Sequence, residues 1–482
     1  MLDLRPVFFI IGLMLAGLGV FMFVPMLVDL GYEKRSWAAF AMSGIFTTLI
    51  GGVMAVATYS KNMRLGARGA FILTALSWAL LSLFSAVPFM MDPFKMSLTD
   101  ALFEATSGIT TTGSTVMSGL DDQPAGILFW RAILQWIGGI GIIATAMAIL
   151  PMLGVGGMQL FKDESSDISD KIFVRPTRIA LLIGSTYLLL TVLCAAGYML
   201  TGMGGFDAAA HAMTTLATGG YSTSDLSLGG FMDNGADMVA MVFMLAGAMP
   251  FAIYMLFLSG DFKAPIKDPQ VRTFIVVIAG LILMVAVSLW LTSDMEEIRA
   301  LRYSAFNTIS IVTGTGYATT DYNSWGPFAV AAFFLFMFIG GCAGSTACSI
   351  KIFRYQVAFE AMRAYIIRMP RPNTVVPMRY GNKPLSETVV YSVMSYFFLF
   401  MMTFAITAIL LSMLGLDTMT AWSGAGSAVA NVGPGLGEII GPTGNYQSLP
   451  DTAKWILLTA MIVGRLEIIT ALVVLTPAFW RA

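Results

Sequence analysis

Four short segments of this chain carry glycine in the same setting: TSGITTTGS, TTLATGGYS, TISIVTGTGYA and SAVANVGPG. Aligned on Gly113, Gly220, Gly316 and Gly433, they are separated by 107, 96 and 117 residues. Each follows a short helix-like stretch and stands between two long apolar runs. Glycine reaches the positive φ angles that turn successive carbonyls to one side. Four such strands meeting at one axis could replace the water shell of a dehydrated cation. Hydroxyls at Thr111, Thr112, Thr218, Thr313 and Thr315 stand close enough in sequence to add oxygens. One such glycine would read as a helix-packing residue. Four in register point to a pore.

The elements that position these segments follow from composition. The 482 residues are 57% hydrophobic and 11% charged, which excludes an ordinary soluble domain. The net charge of -1 hides a segregation by loop and indicates no nucleic-acid partner. Apolar runs of roughly 20 residues, the length that crosses a bilayer, begin near residues 6, 37, 70, 126, 178, 236, 272, 327, 388 and 453. The first is longer than a signal core and reads as a retained span. Stretches 98–110, 206–217, 297–313 and 417–430 are too short or too polar to cross and read as re-entrant helices. Cys194, Cys342 and Cys348 sit in apolar stretches as packing residues, with no disulfide framework.

Of the 27 Lys and Arg, 19 lie at the termini or near 58–69, 157–178, 261–272 and 350–384. The positive-inside rule makes these regions and both termini cytoplasmic. The glycine segments then face outward, in loops holding Asp92, Asp121, Asp122, Asp225, Asp233, Asp237, Asp294, Asp321 and Asp451. Those acids fit a cation-concentrating vestibule or a merely solvated face equally well. The expected fold is an all-α polytopic membrane protein. Four parallel span/re-entrant-loop/span repeats, not inverted ones, surround a pseudo-fourfold pore, beside two extra N-terminal spans. The units are 1–60, the peripheral pair, then 61–160, 161–262, 263–370 and 371–482. Non-helical backbone at membrane depth survives only where it is buried or lines a wet cavity. The C-terminal ends of the four short helices favour a cation below the glycines.

These residues, with QWIGGIGI, FIGGCAGSTACSIKIFR, VVPMRYGNKPLSE and MIVGRLE, closely resemble the Trk/Ktr/HKT superfamily of cation transporters, in its Trk-type potassium uptake branch of bacteria. The resemblance covers almost the whole chain, including the N-terminal pair that Ktr-type subunits lack. It implies that Gly113, Gly220, Gly316 and Gly433 mark a filter. Thr111 and Thr112, Thr218 and Gly219, Gly314 and Thr315, and Asn431 and Val432 would line its potassium sites. In the plant branch a Ser at the first position accompanies sodium selectivity, so Gly113 favours potassium. It further implies potassium uptake across a bacterial inner membrane, a homodimer with one pore per subunit, and a cytoplasmic TrkA-like ring binding NAD(H) and ATP or ADP. No phosphate loop or dinucleotide fingerprint appears in this chain, so no cofactor is expected on it.

The run IGGCAGSTACS, 339–349, breaks the second span of the third repeat with small residues. It reads as close helix packing or, by resemblance, as an intramembrane loop that obstructs the pore, with Gly340, Gly341, Gly344 and Ser345 its flexible part. Arg465 lies in the last apolar span, where a charge costs at least about 2.5–3.5 kcal/mol without a partner or water. Glu467, two residues on, faces elsewhere. Arg465 pairs with a neighbouring helix or, by resemblance, faces the pore as a barrier and gate. His211 has no metal-ligand companion; packing or a hydrogen bond suits it best, with a proton relay as the alternative.

The segment 351–383 carries Lys351, Arg354, Arg363, Arg368, Arg371, Arg379 and Lys383 among Ile352, Phe353, Val357, Phe359 and Met362. It reads as an amphipathic helix and an extended piece, which would bind anionic lipid heads or the regulatory ring. A sodium-permeable transporter, or one coupled to sodium or protons, is the alternative on the same scaffold. An intramembrane enzyme is disfavoured because no HExxH, GxSxG or paired carboxylates occur in the spans.

Overall fold

Uninterrupted apolar stretches with few charges become the longest helices, because in hydrocarbon every peptide group must be satisfied internally. The computed structural model describes residues 3–61, 63, 65–148, 157, 176–293, 295–381 and 383–481. Asp294, most of the basic loop near 157–178 and the 160/161 unit boundary lie outside the described residues. Among the described residues, seven helices are long and apolar enough to cross a membrane: Arg5–Gly31, Trp37–Thr58, Ala67–Met90, Ala125–Ala146, Ala180–Leu200, Pro269–Thr292 and Glu387–Met413.

Three of the ten expected spans are not continuous. The sixth is Ala236–Ala248 and Phe251–Leu258, bent by 94°. Pro250 stands at the bend, where a missing N–H and a clash with the preceding turn end a helix. The eighth is the short helix Pro327–Phe336, followed by the non-helical run from 339 that the small residues announced. The tenth is Asp451–Arg465 and Ile469–Leu475, bent by 106° through Glu467 and Ile468, both at positive φ.

The four short helices form at Leu98–Ile109, Gly205–Leu216, Glu297–Thr313 and Thr418–Ala430. Ser97 and Asp417 cap the first and fourth, accepting from the amides of Asp100 and Thr420; such caps satisfy donors that a helix start leaves free. Hydrogen bonding from Thr420, through its side chain and then its amide, holds the Asp417 carboxyl below the usual carboxylate range. Each short helix packs against the helices that precede and follow it in sequence.

The two N-terminal helices meet backbone to backbone. A Cβ added at Gly51 would collide with Ala16 N and Gly12 O, so only glycine permits this approach. Gly51→Leu is expected to cost about 1–3 kcal/mol through overpacking, read as a lowered melting temperature in detergent. Asp29, fully buried, accepts from Gly126 N at 2.6 Å and so ties the pair to the start of helix Ala125–Ala148.

The basic segment folds as helix Ile352–Arg368 and a two-stranded hairpin, Arg379–Tyr380 with Lys383–Pro384. Its expected apolar face divides. Ile352, Phe353 and Val357 are buried, whereas Phe359 and Met362 are exposed. Lys351 and Arg354 are buried as well, so they belong to the interior and not to a docking surface.

Candidate ion pathway

The four glycine segments adopt one conformation. Each short helix ends in a residue at positive φ: Thr111 at 53°, Thr218 at 50°, Gly314 at 75° and Asn431 at 53°. The next residue donates its N–H to the carbonyl five positions back: Thr112 to Ser107 at 2.8 Å, Gly219 to Thr214 at 2.9 Å, Thr315 to Ser310 at 2.8 Å and Val432 to Ser427 at 3.0 Å. This is the six-to-one bond of a Schellman helix end. Gly113, Gly220, Gly316 and Gly433 then return to positive φ, at 87°, 77°, 78° and 108°.

The corners close into a ring. A Cβ added at Gly113 would strike the carbonyl oxygen of Gly219; at Gly220, that of Thr315; at Gly316, that of Val432; at Gly433, that of Thr112. Every glycine thus faces the residue one position before the next glycine, in the order first, second, third, fourth and back to first. Three second spans reach these corners by the same device. Gly138, Gly247 and Gly464 lie so near the carbonyls of Ile109, Leu216 and Val429 that a side chain would collide, and each of those carbonyls stands four positions before its ring glycine.

Wall side chains hold the ring. Gln135 Nε2 donates to Gly219 O at 2.7 Å while its Oε1 accepts from Tyr221 N at 3.0 Å. Ser114, Ser427 and Tyr446 all donate to Gly433 O, at 2.8, 2.8 and 2.9 Å. The carbonyls of Gly219 and Gly433 therefore already have protein donors. The threonine hydroxyls are engaged too: Thr112 with Thr110 and Asn431, Thr315 with Thr313, Thr218 with Ala217 O, and Thr111 with Cys348 Sγ at 3.6 Å.

Behind the first two corners lies a buried ion pair. Arg131 Nε donates to Glu104 Oε1 at 2.7 Å and its Nη1 to Ser222 O at 2.9 Å, with the guanidinium 4.1 Å from the centre of the Tyr221 ring. Glu104 also accepts from Val116 N and Thr115 Oγ1. The residues alone missed Glu104, Arg131 and Gln135, although the rule that singled out Arg465, a charge within an apolar span, applies equally to Arg131. Arg131→Met leaves Glu104 buried without its cation and is expected to cost about 3–5 kcal/mol, seen as a large fall in melting temperature.

Below the ring, the run from Ile339 to Ile350 is seated in the bend of the sixth span. Cys342 N donates to Ala248 O, Thr346 N to Gly247 O and Phe251 N to Gly344 O. Gly340 N bonds Ile350 O and Gly341 O accepts from Ile352 N, which pins the two ends of the run together. Ser345 Oγ donates to Cys342 O at 2.6 Å. Arg465 is 4% exposed, contacts Cys348 Sγ and points Nη2 at Gly138 O, 3.5 Å away. Its Nε has no partner among the described residues. Glu467 pairs instead with Arg354, whose guanidinium lies 3.6 Å from the Tyr396 ring centre, while Lys351 Nζ donates to Ala347 O.

Arg465, Asn431, Ser345 and Cys348 line a cavity of only about 30 Å³ under the ring. A cavity that small has room for about one water, so the path is narrow here. Its surroundings hold three cations, Lys351, Arg354 and Arg465, against one carboxylate, Glu467.

His211 sits apart from this path. Its Nδ1 bonds Asp207 O at 2.8 Å and its Nε2 the Ser222 hydroxyl at 2.9 Å, among Tyr198, Phe231 and Tyr317. Both ring nitrogens are used, as the packing reading requires.

A family model for the TrkH cation transport protein matches residues 36–481. The chain belongs to the TrkH family. Among TrkH-family proteins, the Trk system potassium uptake protein TrkI of Halomonas elongata is 43% identical, across 99% of this chain and 97% of that protein. The Trk system potassium uptake protein TrkH of Escherichia coli K12 is 34% identical over 99% of both chains. The crystal structure of the potassium transporter TrkH from Vibrio parahaemolyticus superposes with a TM-score of 0.92 at 35% identity, covering 100% of each chain. The TrkH-family fold thus accounts for the two bent helix pairs as well as for the long spans. The chain is a multi-pass membrane transport protein and not an enzyme.

Proposed function

We propose that the chain carries potassium into a bacterial cell through a single pore built by four parallel repeats, with the boundaries 61–160, 161–262, 263–370 and 371–482 and the pair 1–60 outside them. The observation that carries this reading is the cyclic order of the four glycine corners. Peptide oxygens closing into a ring replace the hydration of a monovalent cation, and the glycines keep side chains out of the ring. Gly113, Gly220, Gly316 and Gly433, with the pairs Thr111 and Thr112, Thr218 and Gly219, Gly314 and Thr315, and Asn431 and Val432, form the filter.

The run at Gly340, Gly341, Gly344 and Ser345, together with Arg465, is the gate. It fills the path below the ring and presents positive charge to an arriving cation. Conduction requires that run to leave its seat on Gly247 and Ala248. The base-rich side, with both termini, faces the cytoplasm by the positive-inside rule. A second copy of the chain and a TrkA-like nucleotide-binding ring assemble with it, the ring docking on the exposed part of 351–383.

Rubidium-86 uptake into proteoliposomes tests the reading. Potassium should suppress uptake far more than sodium or N-methylglucamine does. Equal competition by sodium would replace a potassium filter with a weakly selective cation path.

A further inference from the structure

A cavity of about 570 Å³ lies away from the ring, on the base-rich side of the molecule. Its walls are the start of helix Pro269–Thr292, helix Ile352–Arg368 and the hairpin at Arg379–Tyr380. That volume is in the range that holds a small organic ligand. Val277, Ile339, Ile352 and Phe359 make an apolar trough, and the Phe359 side chain in its wall is exposed.

Two polar features break the trough. Gln356 donates through Nε2 to Pro269 O at 3.0 Å and Thr273 Oγ1 at 2.7 Å. This fixes its amide against the start of helix Pro269–Thr292. At the rim Arg379 is exposed and has no ion-pair partner among the described residues, whereas Glu360 is neutralised by Arg363 at 3.1 Å. The rim is therefore positive.

We propose that this cavity is a site for one anionic phospholipid, such as phosphatidylglycerol. Its phosphate meets Arg379 and an acyl chain fills the trough. The chemistry suits the base-rich interface of the membrane, where anionic lipid heads gather on basic side chains. Ile339 and Ile352 belong to both the trough and the two ends of the run below the ring, so the occupant rests against both of those ends.

Native mass spectrometry of the purified full-length chain, titrated with phosphatidylglycerol or phosphatidylcholine, tests the site. One phosphatidylglycerol per chain should bind with an apparent Kd at least about tenfold below that of phosphatidylcholine. Arg379→Gln should reduce this preference to within about twofold while leaving the melting temperature unchanged. Val277→Trp, which fills the trough, should abolish the bound lipid; if that variant misfolds, Arg379→Gln decides. Equal retention of both lipids by the native chain, or retention unchanged in a folded Val277→Trp variant, would overturn the proposal. So would a covalent dimer through Phe359→Cys under oxidant in phosphatidylglycerol membranes, since a second copy of this chain would then occupy the rim.

Discussion

Gly113→Ser should lower the preference for potassium over sodium by about tenfold or more, equivalent to about 1.4 kcal/mol of discrimination. Two costs act together. At φ 87° a side chain is disfavoured by about 1–2 kcal/mol, and the new Cβ would collide with the Gly219 carbonyl oxygen. The corner relaxes only by moving that oxygen, which changes the ring itself. Gly314→Asn provides the comparison. Gly314 also has positive φ, but it occupies the helix-end position that Thr111, Thr218 and Asn431 already fill with side chains. A Cβ there meets Cys348 Cβ at 3.3 Å and the nearest ring carbonyl no closer than 3.5 Å. Its loss of discrimination should be several times smaller. Rubidium-86 uptake, competed with potassium and then sodium, measures both variants; equal losses would mean that backbone strain matters and the ring oxygen does not.

Arg465→Gln should raise flux through the unpartnered chain by roughly ten- to a hundredfold, with potassium preference retained. Unit charges about 6 Å apart at an effective dielectric of about 20 repel by about 3 kcal/mol, and each 1.36 kcal/mol is a factor of about ten in rate. Arg465 suits this role because no carboxylate neutralises it: Glu467 is taken by Arg354, and the neighbours of Arg465 are a thiol and a carbonyl. Potassium-driven uptake at fixed protein density reads the effect. Flux equal to that of the native chain would leave the seated run alone as the obstruction.

The short helices were legible to within one or two residues because their ends are written locally. Ser97 and Asp417 are capping residues, and the glycines mark the far ends. The break after Phe338 was also legible, since seven of the eleven residues from 339 to 349 are glycine, alanine or serine. Pro250 gave the same kind of signal inside the sixth span and was passed over because hydropathy stays high on both sides. The bend at Glu467 had no local signal. It rests on Arg354, 113 residues away in sequence, and a partner of that kind is visible only after folding. Lys351 and Arg354 misled for the same reason: in sequence they look like a basic surface, while the fold buries them beside the path. Gln135 was hidden because its partners are backbone groups of another segment.

Three of the corners can be complete before the chain is. Each helix-end turn is encoded within about seven residues and uses only its own short helix, so it can form as soon as that repeat leaves the ribosome. Joining the first corner to the last is different: Ser114 reaches Gly433, Tyr446 N donates to Thr115 O, and Lys454 pairs with Asp100, across 319, 331 and 354 residues. A nascent or truncated chain ending before residue 433 therefore holds three finished corners and an open seam facing lipid. Membrane quality control has a concrete feature to recognise there, and the last repeat is the step that commits the molecule to its final form.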